Sequence, residues 1–135
     1  MVVRYDKGVK VAVSKKFSSI DFDCHCSEPD CKYTFVDDLL TECLDLLWDL
    51  AGPFKINSGF RCKTHNAAIG GAKDSFHMKG MAADCCSLKG YNGKAMSVYA
   101  DQILPFANGG IGIYFQFCHC DVRKGRARWS QGVEC

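Results

Sequence analysis

The sequence predicts an α+β fold, a small antiparallel sheet with helices packed on one side. Three observations carry that expectation. Between Thr34 and Ala51, apolar residues recur at Val36, Leu39, Leu40, Cys43, Leu47 and Leu50, the i, i+3, i+4, i+7 spacing of an amphipathic helix. Between Phe117 and Arg123 the period is two, which puts His119, Asp121 and Arg123 on one strand face and Cys118, Cys120 and Val122 on the other. Turn signals such as Gly52-Pro53, Gly70-Gly71 and Asn108-Gly109-Gly110 cut the chain into short elements. At 135 residues the chain reads as one domain, 1–135, long enough for a real core.

Taken in order, Lys10 to Val13 alternates weakly and reads as an edge strand, and Phe17, Ile20 and Phe22 anchor the next segment on the core. The helix from Thr34 to Ala51 begins with a capping box formed by Thr34 and Asp37 and stops at Gly52-Pro53, and Trp48 within it reads as core or helix packing. Phe54 to Ser58 is a short strand ending at Gly59, and Thr64 to Ile69 a short helix closed by Gly70-Gly71. Lys73-Asp74-Ser75 is a loop that delivers His77, and Met81 to Cys86 a buried strand. A second helix runs from Tyr91 to Phe106 with Ala95, Val98, Tyr99, Ile103 and Leu104 inward. Ile111 to Phe115 and Phe117 to Arg123 form a final antiparallel pair. The tail, Lys124 to Cys135, is basic and loop-like, with Trp129 as an anchor.

Apolar content of 47% and charged content of 24% are ordinary for a soluble globular chain. A net charge of +2, with Lys and Arg scattered, argues against nucleic acid as a partner. The N-terminal residues lack an apolar core of signal-peptide length, and no run approaches a membrane span. The expected setting is therefore synthesis in a cytoplasm, without a signal peptide. Ten cysteines are many for this length, and in that compartment they are expected to be reduced, structural thiols.

The most informative stretch runs from Asn57 to Cys86. His77 and Asp84 lie seven residues apart, with Gly80 and small residues between them. A loop carrying His77 that runs into a strand carrying Asp84 would bring an imidazole nitrogen and a carboxylate oxygen together, and both are good zinc donors. Ser75-x-His77-x-x-Gly80-x-Ala82-x-Asp84, preceded by Ser58-Gly59-Phe60-Arg61 and His65-Asn66, resembles the zinc D-Ala-D-Ala carboxypeptidase and L-Ala-D-Glu endopeptidase family. Those enzymes cut peptidoglycan stem peptides and share their fold with the hedgehog signalling domain. The resemblance spans Ser14 to Trp129 and implies a third ligand on a late strand, a place that His119 fits.

His77, Asp84 and His119 would supply the three protein ligands of a catalytic Zn2+ with one position left open. The matching arginine of the family helps to hold substrate or the transition-state oxygen, a role that falls to Arg61 here. Ser75 is expected to hydrogen-bond substrate, to orient His77, or to cap its own loop. Many relatives place Asp or Glu three residues before the last histidine ligand, but this chain has Gln116, which cannot take a proton. Asp121 is the nearest acid, either as the catalytic base or as the group that orients His119. His65 is a further polar candidate.

The resemblance implies a monomeric zinc peptidase, of carboxypeptidase or endopeptidase type, acting on the bacterial wall. A phage or prophage lysis protein is one home for it, and a bacterial wall-remodelling enzyme the other. The rival reading is a zinc-stabilised binding module that has lost catalysis, which Gln116 favours. Cys24-His25-Cys26 and Cys31 form a dense thiol cluster that could bind a second metal. The C-x-C spacing departs from the usual C-x2-C knuckle, so a loop with buried or paired thiols is the favoured reading.

Overall fold

Short strands with alternating side chains build a central sheet with two unlike faces. The computed structural model describes residues 1–131. Its elements are β1 (Val2–Asp6), a 3-10 turn (Ser19–Phe22), β2 (Tyr33–Asp37), α1 (Asp38–Ala51), β3 (Phe54–Ser58) and α2 (Lys63–Ala68). A second 3-10 turn (Phe76–Lys79), β4 (Ala82–Ser87), α3 (Gly93–Ala100), α4 (Leu104–Ala107), β5 (Gly110–Ile113), β6 (Cys118–Asp121) and β7 (Ala127–Ser130) follow. The five-stranded sheet has the order β3-β4-β6-β5-β7, and β1 pairs with β2 in a separate antiparallel ribbon.

One face of the five-stranded sheet presents Ala83, Cys85, Ile111, Cys118 and Cys120 to a core shared with Leu40, Leu44 and Leu47 of α1, Met96 and Ala100 of α3, and Phe106 of α4. Phe17, Phe22 and Phe54 close one end of this core, with ring centroids of Phe17 5.5 Å from Phe54 and 6.0 Å from Phe22. Apolar burial of this kind contributes about 25 cal/mol per Å² and holds the sheet against the helices. The opposite face carries Asp84, His119 and Asp121.

The expected sheet was wholly antiparallel, and the β5–β7 pair departs from it by running parallel. Part of the tail expected to be loop thus forms a strand, and 132–135 lie outside the described residues. At Gly112, paired with Trp129, a Cβ would collide with the indole, so a glycine leaves the ring room there.

Two helix expectations are also corrected. The segment from Thr34 does not start a helix: Tyr33 to Asp37 pairs with β1, and the helix begins at Asp38. Asp37, not Thr34, is the N-cap, its carboxylate accepting from Leu39 N–H at 2.9 Å. Leu39 and Leu50 are exposed, whereas Leu44 is fully buried. The second helix is broken between α3 and α4, because Pro105 lacks an N–H and starts a new first turn. Its buried face is Met96, Ala100, Ile103 and Phe106, and Val98 and Leu104 point to solvent. Lys10 to Val13 contributes a single bridge, Ala12 to Ser18, and β1 lies earlier in the chain. Phe17 and Phe22 are buried anchors, and Ile20 is exposed. Among the described residues no helix is long and apolar enough to cross a membrane.

Candidate metal centre and its cleft

Three segments converge on the polar face of the sheet. His77 stands in the 3-10 turn after Ser75, whose hydroxyl caps the turn by accepting from His77 N–H at 3.2 Å. Gly80 ends that turn at φ 73°, in the left-handed region, and a Cβ there would strike the backbone of Phe35. The chain then enters β4, where Asp84 pairs directly with His119 of β6. Directly opposite residues on neighbouring antiparallel strands have their side chains about 5 Å apart, so register alone brings this acid and this imidazole together.

The donor atoms form a tight triangle. His77 Nε2 lies 3.2 Å from His119 Nδ1 and 3.2 Å from Asp84 Oδ1, and His119 Nδ1 lies 3.1 Å from Asp84 Oδ1. All three residues are buried. The remaining atoms of each are held from behind. His77 Nδ1–H donates to the Gly59 carbonyl at 2.7 Å, which leaves Nε2 as a lone-pair donor. The Arg61 guanidinium donates to Asp84 Oδ2 at 3.2 Å and is itself fixed by Ser58 Oγ at 3.0 Å and Asn66 Oδ1 at 3.3 Å. Despite the cost of burial, the adjoining His119 and His77 rings hold the Asp84 carboxyl well below the usual carboxylate range.

The triangle floors a cleft of about 610 Å³. Arg61, Lys73 and Arg123 give it cationic walls, and Phe76, Tyr114, Phe117 and Trp129 aromatic ones. Tyr114 and Phe117 stack with centroids 4.4 Å apart, and the Tyr114 hydroxyl accepts from Trp129 Nε1–H at 3.0 Å. The Arg123 guanidinium lies over both Phe76, at 4.3 Å, and Trp129, at 5.2 Å.

Residues 15–121 match the family model for Peptidase M15. The chain belongs to the M15 peptidase family. No curated protein matches the chain. M15 peptidases are zinc-dependent, and the described residues offer the group His77, Asp84 and His119 as one that could hold a metal ion. The fit can be judged from the donors themselves. A tetrahedral zinc with bonds of about 2.1 Å has edges of about 3.4 Å, close to the observed triangle. The set is two imidazoles and one carboxylate, with the unused nitrogen of each ring occupied and the face towards the cleft clear of protein ligands.

The structure separates the other expected M15 site residues. Arg61 and Ser75 line the cleft. Asp121 does not: it is fully buried behind His119, accepting from the far nitrogen, Nε2–H, at 2.7 Å. Its two oxygens also accept from Arg123 Nε at 2.9 Å, Arg123 Nη2 at 2.7 Å and the backbone N–H groups of Gly110 and Arg123 at 2.9 and 3.1 Å. Although burial opposes ionisation, His119 and Arg123 hold the Asp121 carboxyl well below its ordinary range. Burial lowers the His119 pKa, but Asp121 and Asp84 outweigh it and leave it raised. Gln116 is exposed in the β5–β6 turn, away from the cleft lining, and His65 is likewise not part of that lining. His65 N–H instead donates to Cys62 Sγ at 3.4 Å. Asp74, on sequence grounds only a loop residue, joins Asp84 as an acid lining the cleft. The aromatic wall was also missed, because its members lie in the strand connection and the tail. The one available signal was that Asp74 directly precedes the motif serine.

Proposed function

We propose that this chain is a zinc metallopeptidase that hydrolyses a peptide bond in bacterial peptidoglycan stem peptides, as one hedgehog-like domain acting as a monomer. The observation that carries this reading is the 3.1–3.2 Å donor triangle of His77, Asp84 and His119 at the floor of an open cleft. When bound, zinc supplies Lewis acidity, which polarises a carbonyl and makes water acidic near neutral pH. The chain's own groups do the rest. Gly59 O and Asp121 each hold the outer nitrogen of one imidazole, so that His77 Nε2 and His119 Nδ1 remain donors. Arg61 keeps Asp84 aligned and presents a fixed guanidinium at the cleft wall, suited to a carboxylate or a developing oxyanion. Lys73 and Arg123 add positive charge that suits acidic stem peptides. Ser75 orients His77 through its backbone.

In this reading Asp121 is a positioning residue, since every favourable direction around its carboxylate is already taken. Asp74 becomes the proton acceptor, being the cleft acid that is not a donor in the triangle. The bond cut, and hence a carboxypeptidase or an endopeptidase activity, belongs to the test, as does a role in phage lysis or in wall remodelling.

The second reading, a zinc-stabilised binding module, draws support from the exposed Gln116 and the enclosed Asp121, which leave no acid at the usual position for a base. Defined stem peptides incubated with zinc-loaded protein and read by mass spectrometry separate the two. Cleavage that is lost in His119→Ala and falls about 10²–10⁴-fold in Asp74→Asn is the expected result. Binding of stem peptides without any product would establish the module instead.

A further inference from the structure

We propose that Cys24, Cys26, Cys31 and Cys62 form a second, structural zinc site, independent of the cleft. Their sulfur atoms all lie within 4.8 Å of one another, and together they are one of the two groups among the described residues that could hold a metal. Cys62 Sγ and Cys26 Sγ are 3.7 Å apart. A tetrahedral zinc with sulfur bonds of about 2.3 Å has edges of about 3.8 Å, whereas a disulfide requires about 2.05 Å. Four thiolates close the coordination shell, which is the pattern of a structural rather than a catalytic ion.

The surroundings suit thiolates. Cys62 N–H donates to Cys24 Sγ at 3.3 Å and His65 N–H donates to Cys62 Sγ at 3.4 Å. Lys7 Nζ lies 3.4 Å from Cys26 Sγ and 3.6 Å from Cys31 Sγ, and also donates to the Cys26 carbonyl at 3.3 Å. Four thiolates on a divalent ion leave a net double negative charge, and a lysine beside two of the sulfurs offsets part of it. His25, expected near such a site, instead lines a separate surface pocket beside Trp48 and Ile56.

Placement gives the ion a purpose. Cys24 and Cys26 follow the first 3-10 turn, Cys31 precedes β2, and Cys62 is the N-cap of α2. A metal there would tie the N-terminal segments to the residue directly after Arg61. It would also steady α2, whose Asn66 holds the Arg61 guanidinium. The stabilisation would arise from cross-linking segments with little regular structure of their own.

The test counts metal and reads its ligands, and uses no activity. Wild-type protein made in zinc-supplemented, reducing conditions is expected to carry two equivalents of zinc, and the His77→Ala/His119→Ala variant one. Cobalt substituted into that double variant should show a thiolate-to-cobalt charge-transfer band. Cys31→Ser and Cys62→Ser should each lose one equivalent while keeping the histidine-bound one. Should the serine variants fail to fold, titrating the histidine double variant with a mercurial while following zinc release decides the matter, since blocking the cluster thiols must free its one equivalent. A single equivalent in the wild type that vanishes in the histidine variant would overturn the proposal. So would a cobalt spectrum without thiolate character.

Discussion

Strands β4 and β6 carry metal-type donors on both faces, yet the faces have opposite characters. On one, Asp84 and His119 open onto a cleft, and the atoms not aimed at it are held by Arg61 and by the buried Asp121. On the other, Cys85, Cys118 and Cys120 are completely buried against α1, α3 and α4, and Cys118 Sγ lies 3.7 Å from Cys120 Sγ. The contact between them raises the Cys118 thiol and lowers that of Cys120, but the Cys85 hydrogen bond and burial outweigh this at Cys120, so both thiols are pushed up and stay neutral. The lesson is that donor type does not make a site. Polar partners that fix an ionised form, together with access from solvent, separate the working face from the packing face.

The sharpest way to break this comparison is to remove the partner behind His119. Asp121→Asn is nearly isosteric but replaces an acceptor fixed by Arg123 and Gly110, so His119 loses its anchored tautomer. Loss of such a partner weakens zinc binding by about 10–100-fold. Competition with a zinc chelator measures this, and turnover should return at saturating zinc. A turnover defect that persists at full zinc occupancy would instead return Asp121 to the role of base.

A smaller effect concerns pH in the zinc-free protein. The raised pKa of His119 means that its charged form is stabilised by Asp121 and Asp84 in the folded state. That contribution is fully present below the unfolded histidine value of about 6.5 and is lost as pH rises through the folded value. The carboxyls of Asp84 and Asp121 are lowered, so their contribution is present above about 3.9 and is lost as pH falls through their folded values. Thermal stability of the zinc-free chain should therefore weaken as pH rises above about 6.5, and zinc, which needs neutral imidazoles, should remove that decline. A zinc-free Tm that climbs over this range would contradict the charged His119 assignment.

The smallest effect belongs to the packing face. Cys120→Ala removes one buried sulfur and should cost about 1 kcal/mol in denaturant unfolding, with zinc content unchanged. Loss of zinc in this variant would show that the two faces are not separable.

Much of this was legible along the chain. Strand alternation in Phe117 to Arg123 put His119, Asp121 and Arg123 together, and the spacing from Ser75 to Asp84 marked the turn and strand that meet them. Such patterns are readable because side-chain direction in a strand depends only on local backbone geometry. The α1 boundary was not, because Val36 fits the apolar spacing of the helix that follows, and pairing with β1 placed it in a strand. Nor could the chain alone say which nitrogen of His119 meets Asp121, that Asp74 reaches the cleft, or that Cys62 joins Cys24, Cys26 and Cys31 across 31 positions from Cys31. Those meetings depend on how separate segments close on one another, which the packing of the core determines and no local periodicity records.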